Sequence, residues 1–263
     1  MGTPFNHRPR KRFGQNFLID PNIIEKIIHS IKPHPDDHLV EIGPGLGALS
    51  APLLKYINRL DVIELDRDII PELEKLDHNK LVIHNTDVLN FDFSKFQQDN
   101  FNNEQLRIFG NLPYNISTAV LFHLIKHRKV IRDMHFMFQK EVVERIAAHE
   151  NSSSYGRLSV MMQLHCEVAP LFEVPPQCFR PAPKVDSAVI RLIPRQQMLI
   201  EEDDYHGFED LVRQAFSQRR KTIKNNLKSV CSIDQFVAVD INPGARPQEL
   251  SVDSYVKLYQ QLK

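Results

Sequence analysis

The chain of 263 residues is long enough for one large domain, or for a large domain with a small appendage, and either can bury a core. A composition of 42% hydrophobic and 25% charged residues, without an apolar run of about 20 residues or a secretory leader, predicts a soluble cytoplasmic protein and excludes a membrane span. Lysine and arginine balance aspartate and glutamate at 33 each, which argues against a protein that grips nucleic acid over its whole surface.

Short apolar runs rich in β-branched residues alternate with helical patterns between Leu39 and Gln139. This alternation predicts βαβ units, and therefore a doubly wound α/β domain with a parallel sheet. The predicted strands are Leu39–Ile42, Arg59–Ile63, Leu81–His84, Gln105–Phe109 and Met134–Phe138. Beyond them, Leu158–Val168 and Val185–Ile193 are predicted as two further strands that close the sheet as an antiparallel edge.

After Pro194 the pattern predicts helices and no strand. The helices are expected over Tyr205–Ser217, Thr222–Val230 and Ser251–Leu262, the last with Ser251 as its N-cap. We place a domain boundary between Pro194 and Asp204. Residues 1–20 then form an N-terminal segment, residues 21–194 the α/β domain and residues 195–263 a small all-helical domain.

Two local clusters of positive charge stand out on this neutral protein. They comprise Arg8, Arg10, Lys11 and Arg12 near the N-terminus, and Arg219, Arg220, Lys221 and Lys224 in a stretch without acidic residues. Such clusters favour directed contacts with nucleic acid phosphates, which give affinity and register but not base identity. The alternatives are a solvated tail and a solvated helix face.

A glycine-rich turn, Glu41–Gly47, falls where the first predicted strand ends and a helix should begin. Glycines such as Gly43 and Gly45 let the backbone approach a ligand closely, and a helix N-terminus offers free N–H groups. With Ala48 the turn also satisfies the relaxed dinucleotide pattern, so an NAD-dependent oxidoreductase stays open here. A tight turn without a ligand is the remaining alternative.

Acidic residues follow the next two predicted strands. Glu64 comes at the end of the second strand and Asp87 directly after the third. Carboxylates at these places can accept hydrogen bonds from the ribose hydroxyls and the adenine amine of an adenosine cofactor. Each could instead be a solvated or turn-forming residue, but three such sites at successive strand ends point to one shared crevice.

The fourth strand is followed by Gly110-Asn111-Leu112-Pro113-Tyr114-Asn115. An adenine amine is a poor nucleophile because its lone pair is delocalised into the ring. The amide oxygen of Asn111 and a backbone carbonyl held rigid by Pro113 can each accept an amine proton, and Tyr114 can stack on the base. Catalysis here needs orientation and desolvation rather than a strong base, so this motif favours an adenine amino-methyltransferase over a hydride-transfer enzyme.

The chain resembles the ribosomal RNA adenine dimethyltransferases over nearly its whole length. The motifs that carry the resemblance are Arg12–Leu18, the glycine-rich turn, Asn111–Tyr114, Tyr155–Ser159, Phe179–Ser187 and Phe216–Lys221. The resemblance implies a class I, Rossmann-like methyltransferase sheet that depends on S-adenosylmethionine, with a helical C-terminal domain. It also implies dimethylation of two adjacent adenosines near the 3′ end of small-subunit (16S) rRNA in ribosome biogenesis.

The resemblance further implies roles for individual residues. The cofactor contacts would be Asn16, Leu18, Gly43, Gly45, Glu64, Asp87 and Asn111, with the N-terminal segment closing over the cofactor. The catalytic residues would be Asn111, Leu112, Pro113, Tyr114 and Phe179. In this scheme Tyr114 and Phe179 sandwich the target base, and the alternative for Phe179 is a core aromatic beside a proline-rich turn.

Several expectations complete the hypothesis. The three cysteines are widely spaced and odd in number, so we expect no disulfide framework and no metal site. The expected partner is the rRNA of a small-subunit precursor (pre-30S) particle, bound by a monomer. Two alternatives share the fold: a large-subunit rRNA adenine methyltransferase of the antibiotic-resistance type, and an RNA-binding assembly or transcription factor.

Overall fold

The computed structural model describes residues 15–77, 79–113 and 116–263. The strands are β1 Phe17–Leu18, β2 His38–Ile42, β3 Leu60–Ile63, β4 Leu81–His84, β5 Leu106–Asn111, β6 Ile131–Gln139, β7 Cys166–Val174, β8 Phe179–Arg180 and β9 Ser187–Pro194. The helices are α1 Pro21–Ile31, α2 Ser50–Leu53, α3 Ile70–Leu73, α4 Phe93–Phe101, α5 Ser117–Lys126, α6 Lys140–Ala147, α7 Arg157–His165, α8 Tyr205–Ala215, α9 Ile223–Asn226, α10 Ile233–Val237 and α11 Val252–Gln261.

Seven strands form the main sheet, in the order β4-β3-β2-β5-β6-β9-β7. The neighbours from β4 to β6 pair in parallel, and β9 pairs with β6 antiparallel, so the predicted α/β class is confirmed. Strand β3 is buried along its whole length, as expected of a central parallel strand that is covered on both faces. The carboxyl ends of the parallel strands therefore meet at one edge of the sheet.

Helix α1 connects the N-terminal segment to the sheet. Its sequence accounts for both of its ends. The Asp20 side chain accepts hydrogen bonds from the Asn22 and Ile23 amides, and proline occupies the first helical position. Lys32 ends the helix in the left-handed conformation with a φ of 51°. The helix buries one face of isoleucines in the hydrophobic core.

At the amino edge of the sheet a buried cluster of charges ties three elements together. Arg107, near the start of β5, donates to Asp133 of β6 through Nε at 2.9 Å and Nη2 at 3.0 Å. Its Nη1 donates to Asp37 at 2.6 Å and its Nη2 to the Ile31 carbonyl at 2.5 Å. Burial raises the pKa of Asp133, but the hydrogen bonds and charge of Arg107 outweigh burial and leave that pKa lowered.

The predicted strand over Leu158–Val168 is wrong. Helix α7 occupies Arg157–His165, and strand β7 begins only at Cys166. The helix begins after Gly156, whose amide donates to the Ser159 hydroxyl at 3.0 Å. A continuous apolar run of this length suits a buried helix as well as a buried strand, and here the capping interaction selects the helix.

The chain divides into two compact units. The first contains the residues up to Lys140 together with Ala169–Pro194, and the second contains Glu141–Val168 together with Arg195–Lys263. The predicted 21–194 domain assigned Glu141–Val168 to the sheet, whereas the structure groups that segment with the C-terminal helices. Hydrogen bonds account for the difference: Arg157 donates to Glu209 of α8 at 2.7 Å, and the Arg195 amide donates to the His165 carbonyl at 2.8 Å.

From residue 195 to 263, a range that the structure describes in full, there are helices and no strand, as predicted. The predicted N-cap of the last helix is also present, because the Ser251 hydroxyl accepts from the Ser254 amide at 3.1 Å. Among the described helices, none combines the length and apolar character required to cross a bilayer.

Candidate active site

A cavity of about 480 Å³ lies within the first unit, at the carboxyl edge of the sheet. Its size falls in the range typical of small-molecule sites. The residues predicted to contact a cofactor all line it: Asn16, Leu18, Gly43, Gly45, Glu64, Asp87 and Asn111. Two residues predicted to be catalytic, Leu112 and Pro113, line it as well. The structure therefore brings together side chains that follow four successive strands of the sheet.

The glycine-rich turn after β2 shapes the floor of the cavity. Gly43 and Gly45 have φ angles of +65° and +56°, which side chains rarely adopt. A Cβ on Gly45 would lie 3.1 Å from the Phe17 ring, so glycine lets the N-terminal segment approach the turn. A Cβ on Gly43 would meet no described atom within 4 Å, which leaves this stretch of backbone accessible to a ligand.

Glu64 follows β3 and is 7% exposed. One of its carboxylate oxygens accepts from the Asp66 amide at 2.8 Å, and the amides of Gly45 and Leu65 also point to it. Burial raises the pKa of Glu64, and these backbone hydrogen bonds only partly oppose the effect. The site thus holds a desolvated hydrogen-bond acceptor at the end of β3.

Glu41, the penultimate residue of β2, is a cavity residue to which the sequence assigned no role of its own. It is 2% exposed, and it accepts a hydrogen bond of 2.5 Å from the Ser50 hydroxyl. Burial raises its pKa to about 8, with the nearby charge of Glu64 adding to the effect. Its place before the first glycine of the turn, at the end of a buried strand, is the sequence feature that could have identified it.

Asp87 is both a turn-forming residue and part of the cavity lining. Its side chain caps the short 3-10 turn Val88–Asn90 by accepting from the Leu89 amide at 2.9 Å. It also lines the cavity beside Thr86. The turn-forming role is therefore observed, and contact of the Asp87 carboxylate with a cofactor stays a prediction.

Asn111 is the last residue of β5, and its side-chain orientation is defined by one hydrogen bond. Its Nδ2 donates to the Asn16 carbonyl at 3.1 Å. Because a carbonyl only accepts hydrogen bonds, the amide nitrogen must face Asn16, and Oδ1 is the acceptor that remains. Leu112 is buried beside it, whereas Tyr114 lies outside the described residues.

An N-terminal strap, residues 15–19, forms one wall of the cavity. Its residues Phe17 and Leu18 make strand β1, which pairs antiparallel with β8. The Ile19 amide donates to the Cys178 carbonyl at 2.8 Å, and Gln15 Nε2 donates to the Asp66 carboxylate at 3.0 Å. The strap is therefore fixed at both of its ends.

Phe179 is not brought to the cavity. Its side chain is 3% exposed and belongs to the same buried hydrophobic cluster as Leu18. Strand pairing explains this position, because Leu18 and Phe179 are register partners in the β1–β8 ladder. The stacking of Phe179 on a target base stays a prediction, and the alternative of a core aromatic describes its place in this structure.

The C-terminal basic residues lie on the second unit and are exposed. Arg219 donates to the carbonyls of Ser153 and Tyr155, so part of its function is to hold that turn. Arg220, Lys221 and Lys224 extend the same exposed positive stretch. The N-terminal cluster Arg8, Arg10, Lys11 and Arg12 lies outside the described residues, and its contacts with RNA stay a prediction.

The sheet order, the glycine-rich turn after β2 and the acidic residue after β3 define a class I methyltransferase. The ribosomal RNA adenine dimethylase family matches residues 6–263. The chain belongs to this family, as the resemblance predicted. Among the described residues, no group of three histidine, cysteine or acidic side chains could hold a metal ion.

Known proteins agree with this assignment. A protein of Chromohalobacter salexigens named ribosomal RNA small subunit methyltransferase A is 50% identical over 264 residues, covering 97% of this chain and 94% of the relative. A protein of Marinobacter nauticus with the same name is 48% identical over 260 residues, covering 98% and 93%. The crystal structure of a dimethyladenosine transferase from Plasmodium falciparum superposes with a TM-score of 0.77 at 27% identity, covering 92% of this chain and 95% of that one.

Proposed function

We propose that the protein transfers methyl groups from S-adenosylmethionine to the exocyclic amines of two adjacent adenosines near the 3′ end of small-subunit rRNA, as a step of ribosome biogenesis. The observation that carries the proposal is the Asn111 amide at the rim of the cavity that also contains the glycine turn, Glu64 and Asp87. The names of relatives at 48% and 50% identity support small-subunit rRNA as the substrate.

The donor set of the cavity fits an adenosine-containing cofactor. The Glu64 carboxylate, desolvated at a strand end, can accept hydrogen bonds from both hydroxyls of a ribose. The Asp87 carboxylate can accept from an adenine amine, and the open backbone at Gly43 can approach the amino-acid part of the molecule. S-adenosylmethionine supplies an electrophilic methyl group on a sulfonium when it is bound.

The protein's own contribution to the reaction is to orient the acceptor. Asn111 Oδ1 accepts a hydrogen bond from one N–H of the adenine amine, and a backbone carbonyl near Pro113 accepts a hydrogen bond from the other. Two acceptors in fixed directions make the nitrogen more tetrahedral and aim its lone pair. Because Asn111 Nδ2 is bonded to Asn16, the direction of Oδ1 is set before the base arrives, which lowers the entropic part of the barrier.

Stacking and RNA binding complete the proposal. Tyr114 stacks on the target base, and Phe179 reaches the other face only if its ring leaves the core, where it is 3% exposed. The target adenosine must be single-stranded or extruded to enter the site. RNA phosphates bind to the exposed basic residues of the second unit, Arg220, Lys221 and Lys224. The N-terminal basic cluster binds further phosphates.

The phosphate contacts predict a salt effect. Substituting Arg220, Lys221 and Lys224 together should weaken RNA binding and flatten the dependence of log K on log salt, by about one unit of slope per lost contact. Arg219 is left intact because it holds the Ser153 and Tyr155 carbonyls. A slope equal to that of the unaltered protein would remove these three residues from the RNA interface.

One experiment tests the function directly. The protein is incubated with radiolabelled S-adenosylmethionine and either small or large ribosomal subunits from cells that lack the modification, and the labelled nucleosides are identified. We expect N6-dimethyladenosine in the small-subunit rRNA only. Label in the large subunit would support the antibiotic-resistance alternative, and an absence of label with retained subunit binding would support an assembly factor.

A ligand measurement separates the remaining alternative. Calorimetric titration with S-adenosylhomocysteine should give saturable binding at one site, and titration with NAD should give none. Binding of NAD without binding of S-adenosylhomocysteine would overturn the methyltransferase proposal in favour of an oxidoreductase.

A further inference from the structure

The strap is held over the cavity by side-chain hydrogen bonds as well as by backbone pairing. Gln15 Nε2 donates to the carboxylate of Asp66, a residue that is 2% exposed. A hydrogen bond to a shielded carboxylate is among the stronger ones in proteins. Asp66 is itself fixed, because its amide donates to Glu64 at 2.8 Å and its other oxygen accepts from the Asp68 amide at 3.2 Å. The strap is thus tied to the loop that carries Glu64.

The next residue of the strap reaches the other side of the cavity. The carbonyl of Asn16 accepts from Asn111 Nδ2 at 3.1 Å. The Gln15 side chain and the Asn16 carbonyl are one residue apart, so a bond that immobilises the first limits the movement of the second. The Asn111 amide rotates about soft torsions, and this acceptor determines which way its Oδ1 points.

We propose that Gln15 and Asp66 form a latch that closes the strap over the methyl-donor cavity and, through the Asn16 carbonyl, fixes the orientation of the catalytic amide of Asn111. Gln15 and Asp66 are positioning residues in this scheme, since neither has to touch the reacting atoms. The proposal rests on the proposed function only for its last step. Closure of the strap can be measured without any reaction.

A charge reversal at the latch provides the test. Gln15→Glu places a second carboxylate against Asp66, which breaks the bond and adds repulsion. Asp66→Asn keeps an oxygen for the Asp68 amide and can still pair with Gln15. In the double variant the new amide of position 66 can donate to the new carboxylate of position 15, so the latch is restored with its polarity reversed.

Gln105→Glu is the matched control, because it makes the same chemical change at an exposed residue. Gln105 precedes β5 at the amino edge of the sheet and bonds only weakly, at 3.4 Å, to the Lys129 carbonyl. Gln15→Ala serves as a second variant that removes the bond without adding a charge. Thermal unfolding establishes that each variant is folded before the latch is measured.

Two measurements report on closure of the strap. The first is hydrogen exchange of the Ile19 amide, which donates to Cys178, in protein with no added ligand. The second is the dissociation rate of S-adenosylhomocysteine. We expect Gln15→Glu to increase both rates by about tenfold or more, Gln15→Ala to increase them several-fold, and Gln105→Glu to leave them unchanged. The double variant should return to the rates of Asp66→Asn alone.

The outcomes separate the latch from the function. Rates for Gln15→Glu equal to those of Gln105→Glu would overturn the latch, and so would a double variant as fast as Gln15→Glu. With saturating donor, single-turnover methyl transfer should also slow several-fold in Gln15→Glu and recover in the double variant. If the exchange of the Ile19 amide and the dissociation of S-adenosylhomocysteine become faster but single-turnover methyl transfer does not slow, the coupling to Asn111 is wrong. An unaltered protein that binds no S-adenosylhomocysteine contradicts the proposed function instead, while the exchange of Ile19 still tests the latch.

Discussion

The two edges of the parallel sheet differ in the partners of their buried carboxyl groups and in the direction in which the pKa values are shifted. At the amino edge, Arg107 pairs with Asp133 and Asp37, and the pKa of Asp133 is lowered below its usual range. At the carboxyl edge, Glu41 and Glu64 are equally buried, but their partners are a hydroxyl group and backbone amides, and both pKa values are raised. The chain thus pairs its buried carboxyl groups with guanidinium groups at one edge, whereas at the other edge the described hydrogen-bond partners are neutral.

This difference separates stability from function within one sheet. Removing one partner of a buried ion pair destabilises a fold, because the remaining charge is left buried and poorly compensated. A buried carboxylate without a cation can gain from a ligand that supplies hydrogen-bond donors. Mutations at the amino edge should therefore lower stability, whereas mutations at the carboxyl edge should change binding and turnover and need not lower stability.

The largest effect is expected at the amino edge. Arg107→Met removes the shortest ion pairs of Asp133 and Asp37 and leaves them with the longer pairs to Arg191 and Arg132, both at 3.3 Å. This loss should lower the free energy of unfolding by about 3 kcal/mol, the lower end of the range for a broken buried pair. Urea unfolding followed by circular dichroism measures this loss. Affinity for S-adenosylhomocysteine in the folded variant should stay the same. A loss of affinity without a loss of stability would contradict the difference between the two edges.

Asn111→Ala should give the next largest effect, on turnover, and saturating donor separates this effect from the loss of the hydrogen bond to the Asn16 carbonyl. Removing one preorganised acceptor from the reacting amine should slow methyl transfer on the order of 10²–10³-fold, by analogy with other preorganised polar groups. Single-turnover kinetics with saturating donor measures the rate. If the variant kept near-normal turnover, the role assigned to the Asn111 amide would be wrong.

Glu64→Gln should weaken S-adenosylhomocysteine binding by about 10- to 100-fold, because charge-assisted hydrogen bonds become neutral ones. The pKa of Glu64 is raised, so in the unaltered protein affinity should fall as pH is lowered, and the fall should begin at a higher pH than for an ordinary glutamate. Calorimetric titration across pH should show this fall in the unaltered protein and a flat profile in Glu64→Gln.

The smallest effect is expected for Glu41→Gln, when the change in the free energy of unfolding is compared over one pH unit. The folded protein keeps the Glu41 proton up to about pH 8, whereas the unfolded chain loses it near the ordinary value of 4.5. Unfolding between these values releases a proton, so the free energy of unfolding falls as pH rises, by up to about 1.4 kcal/mol per unit. Glutamine cannot titrate, so the variant should gain stability relative to the unaltered protein between those pH values, and parallel curves would contradict the raised pKa.

The sequence predicted the carboxyl edge better than it predicted the rest. The predicted cofactor residues Gly43, Glu64 and Asp87 lie at strand ends whose pattern is local, which is why they could be placed in one crevice, whereas Asn16 and Leu18 were assigned only through the family resemblance. Strand β1 and the hydrogen bond from Asn111 to the Asn16 carbonyl were beyond reach, because each joins residues far apart in the chain and depends on tertiary packing. Helix α7 was mistaken for a strand because an apolar run fits both periods.

The residue before Asn111 has no side chain to contribute, yet the geometry makes it hard to replace. A Cβ on Gly110 would lie 2.4 Å from the Ile42 carbonyl oxygen, which belongs to the backbone of the neighbouring strand and cannot rotate away. Even alanine would push β5 off β2 at the point where the strand delivers Asn111. In a saturation mutagenesis screen, position 110 should therefore tolerate as few substitutions as the amide beside it.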